Sequence, residues 1–122
     1  MNILRLNGLR CDDLKVISLY NPSFLYGVNC FEGIRGYWVK ETAKLVFLDL
    51  DAHLDRLYES MKQISFPAPV AKPQLRTEIL EMMEVERVQE DIYIRVTVFI
   101  GEDGSWRTTD GIHYMISARS YP

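Results

Sequence analysis

The chain has 122 residues, a length typical of one domain, and its 48% hydrophobic and 25% charged residues are near the globular average, which excludes intrinsic disorder. Its 14 basic and 17 acidic residues give a net charge of -3, which argues against a nucleic-acid partner. No apolar run approaches the roughly 20 residues of a membrane helix and no signal-peptide core is present, so we expect a cytoplasmic protein without a membrane partner.

The first part of the chain is predicted to be mostly β-strand. Residues 2–6 predict a short edge strand that turns at residues 7–8, and the weakly alternating residues 14–19 are candidates to pair with it. Regular structure is expected to break at residues 21–23, where the sequence is Asn-Pro-Ser. The strands of a following β-hairpin are residues 34–39 and 44–48.

Two helices are predicted in the middle of the chain, because apolar residues recur there at helical spacing. Asp49 or Asp51 is a candidate N-cap for the first helix, which ends at residues 66–69. Pro73 suits the start of the second helix, where a missing backbone amide costs nothing. The apolar stripes consist of Leu50, Leu54, Leu57, Tyr58, Met61 and Ile64 in the first helix and Leu75, Ile79, Met82 and Met83 in the second.

The last third of the chain returns to a period of two. Strict alternation predicts strands over residues 92–100 and 112–118, joined by a turn at residues 102–104 and a polar loop that runs to Gly111. The order of strands, two helices and strands predicts an α+β fold, with a largely antiparallel β-sheet and two main helices packed on one face.

Arginines are the candidate binding residues. In the strand over residues 92–100, Arg95 lies between aromatic residues on the polar face, and burying it without an anionic partner would be costly. It therefore either pairs with an acid or reaches water, or the strand binds an anion. By its position alone, Arg56 is an exposed helix arginine. The glycine-rich run over residues 26–37 predicts tight turns and a close approach of the backbone to another group. Glu32 and Arg35 within it are candidates for a simple local ion pair.

Cysteine and histidine are too sparse for a disulfide framework or a metal site. The chain has two residues of each type. Cys11 and Cys30 are too far apart in the sequence for the spacing of metal ligands, and so are His53 and His113. We therefore expect two free thiols and no metal.

Three runs of residues form a recognisable set: Tyr26-Gly27…Phe31-Glu32-Gly33-Ile34-Arg35, Val46-Phe47-Leu48…His53-Leu54-Asp55-Arg56-Leu57…Ser60 and Tyr93-Ile94-Arg95. In this order and spacing they resemble the branched-chain aminotransferases of the class IV, fold type IV pyridoxal-phosphate enzymes. The Phe-Glu-Gly-Ile-Arg form favours them over D-amino-acid aminotransferases and aminodeoxychorismate lyases, which remain alternatives. The chain departs from the family in lacking a histidine within residues 21–25 and in having Cys30 where valine is commoner, which leaves the substrate preference open.

The resemblance implies amino-group transfer between Leu, Ile or Val and 2-oxoglutarate, with pyridoxal 5'-phosphate as the cofactor. Arg56 would bind the cofactor phosphate, which suits a planar guanidinium. Among the implied substrate-binding residues, Phe31 supplies apolar surface, Tyr93 and Arg95 meet carboxylates, Gly33 passes close to the substrate, and Tyr26 completes the pocket of a neighbouring subunit, so a homodimer is implied.

The resemblance also implies that the chain is incomplete as an enzyme. In the family, the lysine that bonds to the cofactor lies in a C-terminal catalytic domain, and no lysine here matches it, so no catalytic residue is assigned. The chain would be the small N-terminal domain, spanning residues 1–122, and inactive alone. The alternative is a free-standing binding or dimerisation module derived from such an enzyme. The lysines considered are Lys15, Lys40, Lys44, Lys62 and Lys72.

Overall fold

A computed structural model describes residues 1–12, 17–105 and 111–121, which form one antiparallel sheet and three helices. The sheet has six strands in the order β2-β1-β6-β5-β3-β4. In this part of the chain no helix is long and apolar enough to cross a membrane. The strands are β1 (Asn2–Leu6), β2 (Leu9–Arg10), β3 (Asn29–Val39), β4 (Lys44–Phe47), β5 (Ile92–Ile100) and β6 (Ile112–Ser120), and the helices are α1 (Pro22–Tyr26), α2 (Leu50–Gln63) and α3 (Lys72–Val85).

The first strand is confirmed, but it is not an edge strand. β1 pairs with β6 on one side and with the two-residue strand β2 on the other, so β2 forms the edge. The turn between β1 and β2 places Asn7 and Gly8 at φ angles of 51° and 81°, a conformation that these two residue types tolerate. The expected pairing of residues 14–19 falls partly on residues outside the described ranges, as does most of the polar loop before Gly111.

The segment before the third strand is more regular than its sequence predicts. Residues 22–26 form a one-turn helix, and the buried Asn21 side chain caps it by accepting a hydrogen bond of 2.8 Å from the backbone amide of Phe24. Gly27 ends the helix in the left-handed region, at φ 68°. β3 then begins at Asn29, five residues before the expected start at Ile34, so most of the glycine-rich run is strand and not turn.

Both main helices are confirmed, and their apolar stripes supply the core. Pro73 lies at the start of α3 as expected. Asp49 precedes α2 with φ 55° and its side chain makes no capping hydrogen bond, so the predicted cap is wrong. Asp49 has a left-handed backbone, whereas a residue that caps a helix with its side chain typically has an extended one. The buried helix residues are Leu50, Leu54, Leu57 and Met61 in α2 and Leu75, Ile79, Met82 and Met83 in α3.

The sheet has one covered and one uncovered face. Alternate residues of β5, from Ile92 to Ile100, are buried in the same cluster as the helix residues, and the residues between them are only half-buried. The helices therefore pack on one face, as the α+β prediction requires. We call the other side the open face, and its middle three rows, across β3, β5 and β6, consist of Phe31, Gly33, Arg35, Tyr93, Arg95, Thr97, Met115, Ser117 and Arg119.

Candidate functional site

The strand register brings several of the predicted site residues together on the open face. Gly33 of β3 lies directly opposite Arg95 of β5, and Phe31 lies opposite Thr97. Because side chains on directly opposed residues of antiparallel strands are neighbours, Phe31, Gly33, Tyr93 and Arg95 form one continuous patch. Tyr26 lies apart from this patch, at the end of α1, with 54% of its side chain exposed.

The charge of Arg95 is stabilised by an aromatic ring and a hydroxyl. Its Cζ atom lies 3.7 Å from the centre of the Phe31 ring, a cation–π contact, and its Nε donates a hydrogen bond of 3.3 Å to Oγ1 of Thr97. Among the described residues no ion pair includes Arg95. The alternative that Arg95 pairs with an acid of its own domain is therefore not seen among the described residues, and contact with water or binding of an anion remain the two alternatives.

Gly33 is required by its neighbour Tyr93. A Cβ atom at position 33 would lie 2.9 Å from two carbons of the Tyr93 ring, and closer still to the hydroxyl oxygen. The ring therefore lies across the backbone of β3 and fills the space of a side chain. The predicted close approach is present, and the group that makes it in this structure is a tyrosine of the same chain.

Two further arginines share the open face, and the sequence patterns assign neither of them a binding role. Arg35 and Arg119 flank Tyr93 in one row across β3, β5 and β6. The guanidinium of Arg35 lies over the Tyr121 ring at 5.1 Å, and Arg119 Nε donates a hydrogen bond of 3.0 Å to Asn2. The signal was available, since a period of two places all three arginines on the polar side of their strands. The nine listed residues of this face include three arginines and no acid, in a chain of net charge -3, which makes this part of the face a candidate anion-binding surface.

A second cluster lies on the helix side of β3, around Glu32. Arg56 of α2 contacts both carboxylate oxygens of Glu32, through Nε at 2.8 Å and Nη2 at 2.7 Å, and His53 Nδ1 lies 2.8 Å from Oε1. Glu32 is 5% exposed, whereas 68% of the Arg56 side chain is exposed. The suggested ion pair of Glu32 with Arg35 is wrong, because their positions on β3 differ by an odd number of residues and their side chains lie on opposite faces.

Electrostatics keep the buried carboxylate ionised. Burial on its own would raise the pKa of Glu32, but the hydrogen bonds and charges of Arg56 and His53 outweigh it and lower that pKa below the ordinary value of 4.5. The same contact with Glu32 raises the pKa of Arg56. Both partners are therefore charged at neutral pH.

The lowered pKa of Glu32 makes the free energy of unfolding depend on pH under acidic conditions. Because the folded pKa of Glu32 is depressed, the carboxylate stabilises the fold above pH 4.5, and this contribution is lost as the pH falls through the folded pKa. We expect the unfolding free energy of the wild type to decrease more steeply below that pH than that of Glu32→Gln. Urea unfolding between about pH 3 and pH 7 measures both slopes, and equal slopes would contradict the assignment.

Cys30 lies on the side of β3 away from the substrate-binding candidates. It is opposite Val98, a core residue of β5, and packs against the hydrophobic cluster. Burial, with a smaller contribution from the charge of Glu32, raises the pKa of its thiol to about 11. Cys30 therefore does not lie on the open face, and the substrate preference stays open. Within the described residues no group of three metal-ligating side chains occurs.

Comparison with known proteins identifies the family. Residues 29–122 match the family described as amino-transferase class IV, which is more than half of the chain. The chain belongs to the class IV aminotransferases. A relative from Methanocaldococcus jannaschii, with the curated name "Putative branched-chain-amino-acid aminotransferase", is 36% identical to this class IV chain over 97 residues, which are 79% of the chain and 31% of that relative.

Solved structures agree with the assignment to class IV. The branched-chain aminotransferase of the thermophilic archaeon Thermoproteus uzoniensis, solved with norvaline, superposes with a TM-score of 0.87 at 28% identity, over 98% of this chain and 41% of that one. The T.th. branched-chain amino acid aminotransferase, in complex with N-(5'-phosphopyridoxyl)-L-glutamate, shares the fold with a TM-score of 0.86 at 23% identity, over 98% of this chain and 40% of its own. The chain thus spans about a third to two fifths of these relatives.

The lysines of this class IV chain are in surroundings that do not favour covalent chemistry. The four that the structure describes are all exposed, and Lys15 lies outside the described residues. An exposed amine keeps its full hydration, whereas a nucleophilic lysine is usually desolvated. The four exposed lysines are Lys40, Lys44, Lys62 and Lys72.

Proposed function

We propose that this chain is the small N-terminal domain of a pyridoxal-phosphate-dependent branched-chain amino acid aminotransferase, and that a C-terminal catalytic domain completes it. Family membership and the names of the relatives support this, as does the fraction of each relative that the chain spans. The observation on which the proposal chiefly depends is Arg95, a guanidinium that rests on an aromatic ring and has no carboxylate partner among the described residues.

In this proposal, the open face forms one wall of a pocket for two kinds of substrate. Phe31, 48% exposed, offers apolar surface to the side chain of leucine, isoleucine or valine. Arg95, lying against the same ring, binds the side-chain carboxylate when glutamate is the amino donor. The Tyr93 hydroxyl, held above Gly33, donates a hydrogen bond to the substrate's other carboxylate. One wall can accept both substrates because the cation lies beside the apolar surface and does not replace it.

Arg56 is the proposed ligand of the cofactor phosphate, and its geometry fits that role. Nε and Nη2 contact Glu32, while Nη1 makes no hydrogen bond with the described residues and the side chain is largely exposed. A guanidinium in this arrangement can still donate to a phosphate from its free edge. Pyridoxal phosphate, when bound, supplies the electron sink for amino-group transfer. The lysine that this chemistry requires would come from the second domain.

We further propose a cytoplasmic homodimer in which Tyr26 reaches the pocket of the neighbouring subunit. The exposed apolar side chains next to it in sequence are compatible with an interface, since such a patch marks contact surfaces. Two free cysteines suit a reducing compartment. The exposed side chains concerned are Leu19, Tyr20, Phe24, Leu25 and Tyr26.

The test compares the protein expressed from its complete gene with the 122-residue chain. Glutamate formation from 2-oxoglutarate is followed with L-leucine as donor and pyridoxal phosphate present. We expect transfer by the complete protein and none by the chain alone. Activity of the chain alone, or a complete gene that ends at residue 122, would contradict the proposal, and the second result would favour the free-standing module. D-Leucine is the control donor, because its use in place of the L-form would indicate a D-amino-acid aminotransferase.

A further inference from the structure

Glu32 does not lie on the open face, which forms the wall of the proposed pocket. Its carboxylate is buried, and it contacts both His53 and Arg56. β4 pairs with residues 36–39 of β3, and the preceding part of β3 has no strand on that side among the residues that the structure describes. α2 packs against β3, and it places His53 and Arg56, which are one helical turn apart, on the same carboxylate. A buried acid with two partners from one helix fixes both of them.

We propose that Glu32 is a positioning residue that orders the guanidinium of Arg56 for phosphate binding. This inference rests on the proposed function, because it assumes that Arg56 binds the phosphate. The two contacts through Nε and Nη2 fix the plane of the guanidinium and turn its third nitrogen, Nη1, away from the carboxylate. An exposed arginine without such contacts samples many rotamers and must be ordered when the ligand binds. With Glu32 in place, the conformational entropy of the Arg56 side chain is lost when the protein folds and not when the ligand binds.

His53 holds Glu32 in turn. The ionised carboxylate can only accept hydrogen bonds, so the Nδ1 atom of His53 carries the hydrogen in their 2.8 Å contact. Oε1 receives both His53 and Arg56 Nη2, while Oε2 receives Arg56 Nε. The carboxylate therefore cannot rotate without breaking a contact. His53 of α2 fixes the Glu32 carboxylate of β3, and this carboxylate in turn fixes the orientation of Arg56.

The charge of Glu32 and its hydrogen bonds to Arg56 have opposite effects on the affinity of Arg56 for a phosphate. A carboxylate next to Arg56 lowers the net positive charge that a phosphate meets, so by charge alone its removal would tighten binding. By geometry, its removal frees the guanidinium and weakens binding. We assign the larger effect to geometry, because Nη1 of Arg56 lies on the side of the guanidinium opposite the two nitrogens that contact the carboxylate.

The experiment measures the affinity of the complete protein, freed of cofactor, for pyridoxal phosphate and for pyridoxal, which lacks the phosphate. For Glu32→Gln we expect pyridoxal phosphate to bind about 10-fold more weakly, the size of one ordered arginine side chain, and pyridoxal to bind as in the wild type. A general loss of structure would weaken both ligands equally. Asp51→Asn is the matched control, since it removes an exposed acid of α2 that pairs with Arg76.

Two outcomes separate this inference from the proposed function. If Arg56→Gln leaves the preference for the phosphorylated ligand unchanged, the proposed function fails. If Arg56→Gln abolishes that preference while Glu32→Gln binds as well as the wild type or better, only the positioning role is overturned. Glu32→Asp, which keeps the charge and withdraws the carboxylate by one methylene, is the second variant if Glu32→Gln does not fold. It is also expected to weaken only the phosphorylated ligand, and wild-type binding by it would overturn the positioning role.

Discussion

Replacing Leu57 with alanine is expected to lower the unfolding free energy of the chain by about 3 kcal/mol. Leu57 is 0% exposed, at the middle of the buried stripe by which α2 packs on the sheet. The cost combines the lost transfer free energy of the side chain with the cavity left behind, because a helix held at several other buried positions cannot collapse into the space. A domain of this size has only about 5–15 kcal/mol of stability, so the effect is large.

The measurement is urea unfolding of the wild type and the variant, with the slope compared as well as the midpoint. Leu9→Ala is the matched control, since it makes the same chemical change at a position that is 74% exposed, and a change within about 0.5 kcal/mol is expected there. A loss below about 1 kcal/mol for Leu57→Ala would mean that α2 does not pack on the sheet as described.

The fold could be predicted from the sequence wherever a periodic pattern is long. The stripes of α2 and α3 and the alternation of β5 each extend over three or more repeats, and all three elements are confirmed. Local exceptions were missed because they depend on single residues. The cap of α1 comes from one buried asparagine, Asn21, and Asp49 fails as a cap because of its own backbone angle.

The candidate site could be predicted only in part, for a reason of topology. Residues on one strand, such as Tyr93 and Arg95, are placed on a face by their spacing alone. Which strands adjoin is a long-range property, and the position of Arg119 opposite Tyr93 follows only from the pairing of β5 with β6. The pairing of Glu32 with Arg56 and His53 likewise depends on how a helix docks on a strand. The roles of Arg56, Tyr26 and the open-face residues stay predictions.

Arg95 should distinguish the two kinds of substrate that the open face is proposed to accept. In the complete protein, we expect Arg95→Leu to lower kcat/KM for glutamate about 100-fold and to leave that for leucine within about 3-fold. Without the guanidinium, the side-chain carboxylate of glutamate meets an apolar surface and loses its partner, which costs about 2–3 kcal/mol. Leucine makes no use of the cation and can pack against the new side chain as it does against Phe31.

The leucine substitution keeps an apolar group against the Phe31 ring, which Arg95 now covers at 3.7 Å, so the wall of the proposed pocket stays filled. Steady-state kinetics with each donor, at a fixed concentration of the same 2-oxo acid acceptor, measure the two values separately. The matched control is Arg76→Leu, because Arg76 is an exposed arginine of α3 that pairs with Asp51, away from the open face. Equal losses of kcat/KM for glutamate and leucine would mean that Arg95 stabilises the sheet and does not select between the substrates. A loss of kcat/KM for glutamate alone would indicate that its side-chain carboxylate binds at Arg95. Arg95→Leu removes the charge that binds this carboxylate, and leucine has no side-chain carboxylate.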